Sequence, residues 1–230
     1  MLRFQCRTSH SCTVKVVRGL MTSSRIPLDT DGSALLEAGR LTLVTPASVQ
    51  PVTMAMVKQQ LRVTHSSEDD LISHLIDVAT SHIFARTRYA MLAQTWEMRL
   101  DRFPSRRMMN FPFAPLSSVT SLKYDDVDNV EQTMDSSLYA VETGIWPGRL
   151  RLNTGQTWPT IYGNVDNVRA VFVCGNTSAS LVPADLKQAV LMGVGHWYAN
   201  REDVVTGTIA SSLARSIDSL IAPYVVPRML

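Results

Sequence analysis

The sequence is poor in the residues from which metal sites and covalent chemistry are usually built. Cys6, Cys12 and Cys174 are an odd number at spacings that match no zinc site, which disfavours a disulfide framework and fits a reducing compartment. The five histidines, at 10, 65, 74, 82 and 196, show no ligand spacing. His74 and His82 lie eight apart, whereas a helical ligand pair needs i, i+4. There is no G-x-S-x-G elbow, no HExxH and no CxxC pair, and GRLRLNTGQT (148–157) lacks the lysine and spacing of a phosphate loop. No apolar run approaches the ~20 residues that span a bilayer. The most apolar window, VLMGVGHWYA (190–199), is short and predicts a buried helix. Catalytic, cofactor-binding and metal residues are therefore expected to be none, and the chain is not expected to be an enzyme or to meet a membrane.

Lysine is scarce too: 18 arginines stand against 4 lysines, with a net charge of only +2. Nothing in that balance demands nucleic acid. Arginine's planar fork suits fixed ion pairs at interfaces and phosphate contacts, although GC-rich codon use gives the same excess. The first 28 residues carry five bases and no acid. A transit peptide, a basic arm, or a leader upstream of a start at Met21 all account for that pattern. Residues 1–40 are treated as an N-terminal extension on which no structure is forced.

From residue 41 patterns begin. LTLVTPASVQPV (41–52), with two prolines, reads as an extended lead-in. Thr53 is placed to cap a helix over 53–63 whose Met54, Val57 and Leu61 share a face. A longer helix over 67–88 opens with Glu68, Asp69 and Asp70, three carboxylates at the positive end of its dipole. A metal cluster is the sharper reading of those acids, but no further ligands lie at a matching spacing. The apolar stripe of this helix is Leu71, Ile72, Leu75, Ile76, Ala79 and Ile83.

After residue 90 the period changes to two. In AQTWEMRLDRFP (93–104), Trp96, Met98 and Leu100 alternate with Glu97, Arg99 and Asp101, the signature of a strand with one wet face. Further strands are expected near 119–124, 138–142, 148–152 and 168–174, within a β region over 93–175. The DDVDN turn (125–129) lacks the glycine and the distal glutamate of a calcium loop and reads as a polar turn. Phe111, Pro112, Phe113 and Pro115 form a rigid apolar linker. A helix over 183–200 starts with Pro183 at its first position. It carries Gly193 and Gly195, each costing roughly 1 kcal/mol unless a neighbour packs close. A last helix over 211–222 leads into PYVVPRML, an apolar tail expected to be non-helical and to have no core of its own to join, which implies a partner.

The expected fold class is α+β: a small bundle of about four helices with an inserted antiparallel β-sheet. Several segments, in order, resemble the head–tail connector (adaptor) proteins of tailed bacteriophages: LTLVTPASVQPVT…VKQQLRV (41–63), EDDLISHLIDVAT (68–80), AQTWEMRLDRFP, PFAPLSSVTSLKY (112–124), VPADLKQAVLMGVGHWYANRE (182–202) and LARSIDSLIAPY (213–224). The QTWE-x-RLDRFP and HWY-x-N-R-E stretches carry most of the likeness. One departure is Met56, which stands where the family's first helix usually has a capping-box glutamate. The resemblance implies a connector domain over 41–224 with a tail at 225–230, and a structural virion protein of the neck, assembled in the host cytoplasm. It implies a homo-oligomeric ring, typically of twelve copies, below the portal. That ring would extend the DNA channel, pass DNA without sequence-specific binding, and dock the tail or next neck protein. Portal-interface candidates are Ile217, Leu220, Ile221, Tyr224, Val225, Val226 and Arg228. Subunit-interface candidates are Glu97, Arg99, Asp101, Arg102, Arg201 and Glu202. The alternatives are a DNA-binding packaging factor, motivated by the arginines and basic leader, and a hydrolase using His196, Glu202 and Asp203.

Overall fold

A computed structural model of the chain describes residues 4–6, 12–14, 40–201 and 210–227. Two units are distinguished, Met1–Ala34 and Leu35–Leu230. In the first, β1 (Phe4–Cys6) and β2 (Cys12–Val14) form an antiparallel pair with Cys6 opposite Cys12. Most of the expected extension, 1–40, otherwise lies outside the described residues.

The second unit is α+β, as expected, and is built on two cores. In the helical core, α1 (Met54–Leu61) is capped by Thr53, whose hydroxyl accepts the Met56 N–H at 3.3 Å. The cap survives without a glutamate at 56 because one accepting oxygen is enough to satisfy that exposed N–H. Along α2 (Asp69–Thr87), Ile72, Ile76, Ala79 and Ile83 are buried, while Leu71 and Leu75 are half-buried at the margin of the stripe. Full burial of each isoleucine contributes about 1.5–3 kcal/mol. Facing it, α3 (Ala184–Ala199) buries Leu186, Ala189, Val190, Leu191, Gly193 and Val194. Pro183 occupies the cap position just outside this helix rather than its first turn; its extended backbone (ψ 141°) belongs to the incoming chain. A Cβ on Gly193 would lie 3.5 Å from the Ala79 Cβ of α2, so the glycine sits where the two helices touch. The last helix, α4 (Ala210–Ile221), packs on α3.

The β part comprises two sheets, where a single one was expected. The larger has the order β3 (Arg40–Thr45), β4 (Gln94–Leu100), β10 (Val168–Cys174), β6 (Leu116–Asp125) and β7 (Glu131–Thr133), with antiparallel neighbours throughout. The smaller runs β5 (Met108–Asn110), β9 (Arg149–Leu152), β8 (Tyr139–Glu142). The strands β5 and β7, at three residues each, are too short to show a period in sequence. Strict alternation on β10 buries Val168, Ala170, Phe172 and Cys174. The expected linker is part of this core: Phe111 is fully buried with its ring 4.8 Å from Phe172, and Phe113 is buried as well. Helical and sheet parts meet at Phe84 of α2, whose ring lies 4.9 Å from Phe113 and 5.9 Å from Trp96. Trp96 thus serves the junction between the two parts, while Met98 and Leu100 serve the sheet core.

Candidate interaction surfaces

The wet face of the large sheet carries a row of four cations. Strand register sets Arg40, Arg99, Arg169 and Lys123 side by side across β3, β4, β10 and β6. Like charges directly opposite one another destabilise a sheet unless they are neutralised. Here each has an acid: Arg40 pairs with Asp166 at 3.0 Å, Arg99 with Glu97, Arg169 with Asp125, and Lys123 with Glu131 at 2.7 Å. Glu131 also reaches Arg169 at 3.1 Å. The Asp125 hydrogen bond holds the Arg169 guanidinium above its ordinary pKa, and the Lys123 hydrogen bond holds Glu131 below the usual carboxylate range. Asp101 turns aside from the row and accepts the backbone N–H of Asp166 at 3.0 Å. Of the expected subunit-interface set, then, Glu97 and Arg99 are paired on their own strand, Asp101 serves its own fold, and Arg102 is exposed.

The HWY-x-N-R-E motif forms a clasp between helix ends. The Tyr198 hydroxyl and the Arg201 guanidinium both donate to the carboxylate of Glu68, the residue that precedes α2. Arg201 lies 5.3 Å from the Tyr198 ring centre, and Trp197 packs edge-on against His82 at 5.9 Å. Among the three carboxylates at the start of α2, Asp69 pairs with Lys58 of α1 at 2.6 Å, so two of the three tie elements together. His196 faces Asn200, one turn further along α3. Glu202 and Asp203, required by the hydrolase reading, lie outside the described residues.

The Tyr198 hydrogen bond, followed by the Arg201 contact, lowers the Glu68 pKa. A depressed carboxylate contributes stability that is present above its unfolded pKa and is lost as pH falls through its folded pKa. Glu68→Gln should therefore destabilise the protein at pH 7. The difference from the parent should shrink once pH drops below about 4.3, the ordinary glutamate value. Thermal melts of both proteins across that window check it; a difference independent of pH would contradict the clasp.

The C-terminal tail corrects an expectation. Ala222–Tyr224 forms a 3₁₀ turn after α4, so the tail is partly helical despite Pro223. It also has a core of its own to join: Ile221 and Val226 are 3% and 2% exposed, and Ile217, Leu220 and Tyr224 pack on the same helical cluster. The Val226 N–H donates to the Thr87 carbonyl at 2.8 Å, at the end of α2. The Tyr224 hydroxyl donates to Asp185 at 3.2 Å, its ring meets Tyr89 at 5.6 Å, and Arg86 pairs with Asp218 at 2.5 Å. Of the portal-interface candidates only Val225 is exposed, and Arg228 lies outside the described residues. The sequence missed this docking because the ends of α2 and α4 are more than 130 residues apart and neither end signals the other.

Among the described residues no group of three or more His, Cys, Asp or Glu side chains could hold a metal ion, and no helix is long and apolar enough to cross a membrane. Cys174 is buried, which pushes its thiol pKa up to about 12 and leaves it a packing residue.

Residues 51–141 match the profile of a family described as phage gp6-like head-tail connector protein. No curated protein matches the chain. Among solved structures the fold is similar to a chain in the virion of a native gene transfer agent particle, with TM-score 0.69 and 22% identity over 83% of this chain and 97% of that one. It is equally similar to a chain in the neck of an empty particle of that kind, computed with C6 symmetry (TM-score 0.70, 23% identity, the same coverage). A third match lies in the neck of the native particle computed with C12 symmetry, with TM-score 0.66, 22% identity and the same coverage.

Proposed function

We infer that this chain, whose residues 51–141 match the phage gp6-like head–tail connector family, is a structural connector of a virion neck that assembles as a homo-oligomeric ring. The observation that carries the reading is the coincidence of two matches. The family profile covers α1, α2 and the strands from β4 to most of β8, and 83% of this chain then matches 97% of a chain from a neck computed with C12 symmetry. In this reading about twelve copies sit below the portal, extend the DNA channel and offer a surface to the tail or next neck protein. The chain works by shape and adhesion, with no covalent step.

A channel must let DNA slide, and every phosphate a protein neutralises adds salt-dependent affinity. The paired cation row supports that requirement, because its four positive charges are matched by carboxylates of the same sheet end. Arg149, Arg86 and Arg201 are likewise engaged with carboxylates. Contact with the portal from the tail is proposed for Val225 and the residues after Val226, since Ile221 and Val226 are already packed inside the subunit. Portal particles incubated with the purified protein and imaged by electron microscopy test the reading: added ring density below the portal is expected, and unchanged particles would defeat it.

A further inference from the structure

The five-stranded sheet has two open edges of unlike character. Among the described residues no strand pairs with the outer side of β3 or of β7. At the β3 edge Leu43, Val44 and Val49 are exposed, and residues 40–52 contain one charge, Arg40, and no acid. At the β7 edge Val127 and Val130 are exposed, and residues 125–132 contain four acids and no base. The turn between β6 and β7 is held in shape by Asp126. Its carboxylate accepts the N–H groups of Asp128 and Val130, both at 3.0 Å, and the Gln132 amide at 2.8 Å. The Val130 hydrogen bond, first among these, lowers the Asp126 pKa. The two valines are therefore presented outward by a turn that needs little further ordering on contact, which reduces the entropy lost on association.

We propose that these edges meet between neighbouring copies of this chain: the apolar, acid-free β3 edge of one subunit packs on the valine-and-acid β7 edge of the next. The proposal rests on the ring reading above and names the faces that close it. Because the two patches differ and lie on opposite edges of one sheet, the contact is heterologous, the kind that propagates around a ring. Apolar side chains supply the burial. The exposed Asp128, which forms no ion pair among the described residues of its own subunit, meets an edge that carries no acid and ends in the exposed Arg40, which sets which edge meets which. The register shift between Leu43 and Thr45 places Val44 in a bulge, which blunts the β3 ladder, so the contact runs through side chains more than through added strand pairing.

Geometry supplies a direct test. Four interstrand steps of about 4.8 Å put the two edges roughly 19 Å apart within one subunit. A disulfide needs Cα atoms within about 7 Å, so one between the edges can form only between subunits. The full chain is made as Val44→Cys, Val130→Cys and the double variant, with Cys6 and Cys12 changed to Ser and the buried Cys174 retained. Each is mixed with portal particles, imaged, and oxidised. The expected result is a ladder of disulfide-linked multimers from the double variant and none from either single one. Rings with no ladder would overturn the edge contact and leave the ring standing. Disulfide dimers of Val44→Cys alone would show like edges meeting, which also overturns it. A Val44→Cys thiol that resists maleimide in the free monomer would show the edge covered by the chain itself, and the contact would fall on that result too. Particles without rings would remove the ring reading together with this contact.

Discussion

Gly175→Ala is expected to be among the most damaging single methyl additions in the chain. Gly175 follows β10 directly with φ +106°, a backbone conformation that favours glycine. A Cβ built there would stand 2.0 Å from the Leu92 carbonyl oxygen and 2.4 Å from its carbon. Those are backbone atoms that cannot swing aside as a side chain would. Moreover, the segment is pinned on both sides: the Gly175 N–H donates to the Pro115 carbonyl at 2.8 Å, and the Ala93 N–H donates to Asn176 at 2.9 Å. Strain at such a position costs about 1–3 kcal/mol before any clash is counted. With the clash, a loss of about 3 kcal/mol or more is expected. For a chain of this size that lowers Tm by roughly 6–12 °C. A melt within about 2 °C of the parent would show that Leu92 and Gly175 do not approach as described.

Ile221→Ala should destabilise the free, unassembled protein by about 2–5 kcal/mol, the usual range for removing most of a buried isoleucine. Ile221 is 3% exposed inside the helical core and lies at the end of α4, immediately before the turn that carries Val226 back to Thr87. The measurement separates two uses of the tail. If the tail is part of its own subunit, denaturant unfolding of the monomer shifts to lower concentration. If it were greasy only to meet the portal, the monomer would unfold as the parent does and only ring attachment would fail. The structure favours the first outcome, and it moves the case for a connector off the tail and onto the fold.

The sequence revealed most clearly what depends on period and local chemistry. The isoleucine stripe of α2, the Thr53 cap and the alternation of QTWEMRL each state their geometry within a few residues, and Phe84 joining Trp96 and Phe113 is the first link that they do not state. The splitting of the strands into two sheets was hidden, because partner choice is decided by residues 40 to 80 positions apart, as in Gln94 with Cys174. The tail was misread for a related reason. Its apolar residues said that something covers them, and only tertiary packing could say that the cover is α2 and α3 of the same chain. The charged side of β4 was legible as a wet strand face with Glu97 and Arg99 paired on the strand itself, but the acids that neutralise the neighbouring Arg40 and Arg169 come from a turn at Asp166 and from β6 and β7, which no short window contains.

A symmetry-expanded cryo-EM reconstruction of the portal particles bearing the added protein would probe the ring most directly. A closed collar is expected directly beneath the portal, into which copies of this α+β subunit fit, each touching two neighbours through unlike faces. Density absent at that level, or present as a single off-axis copy, would rule the ring out.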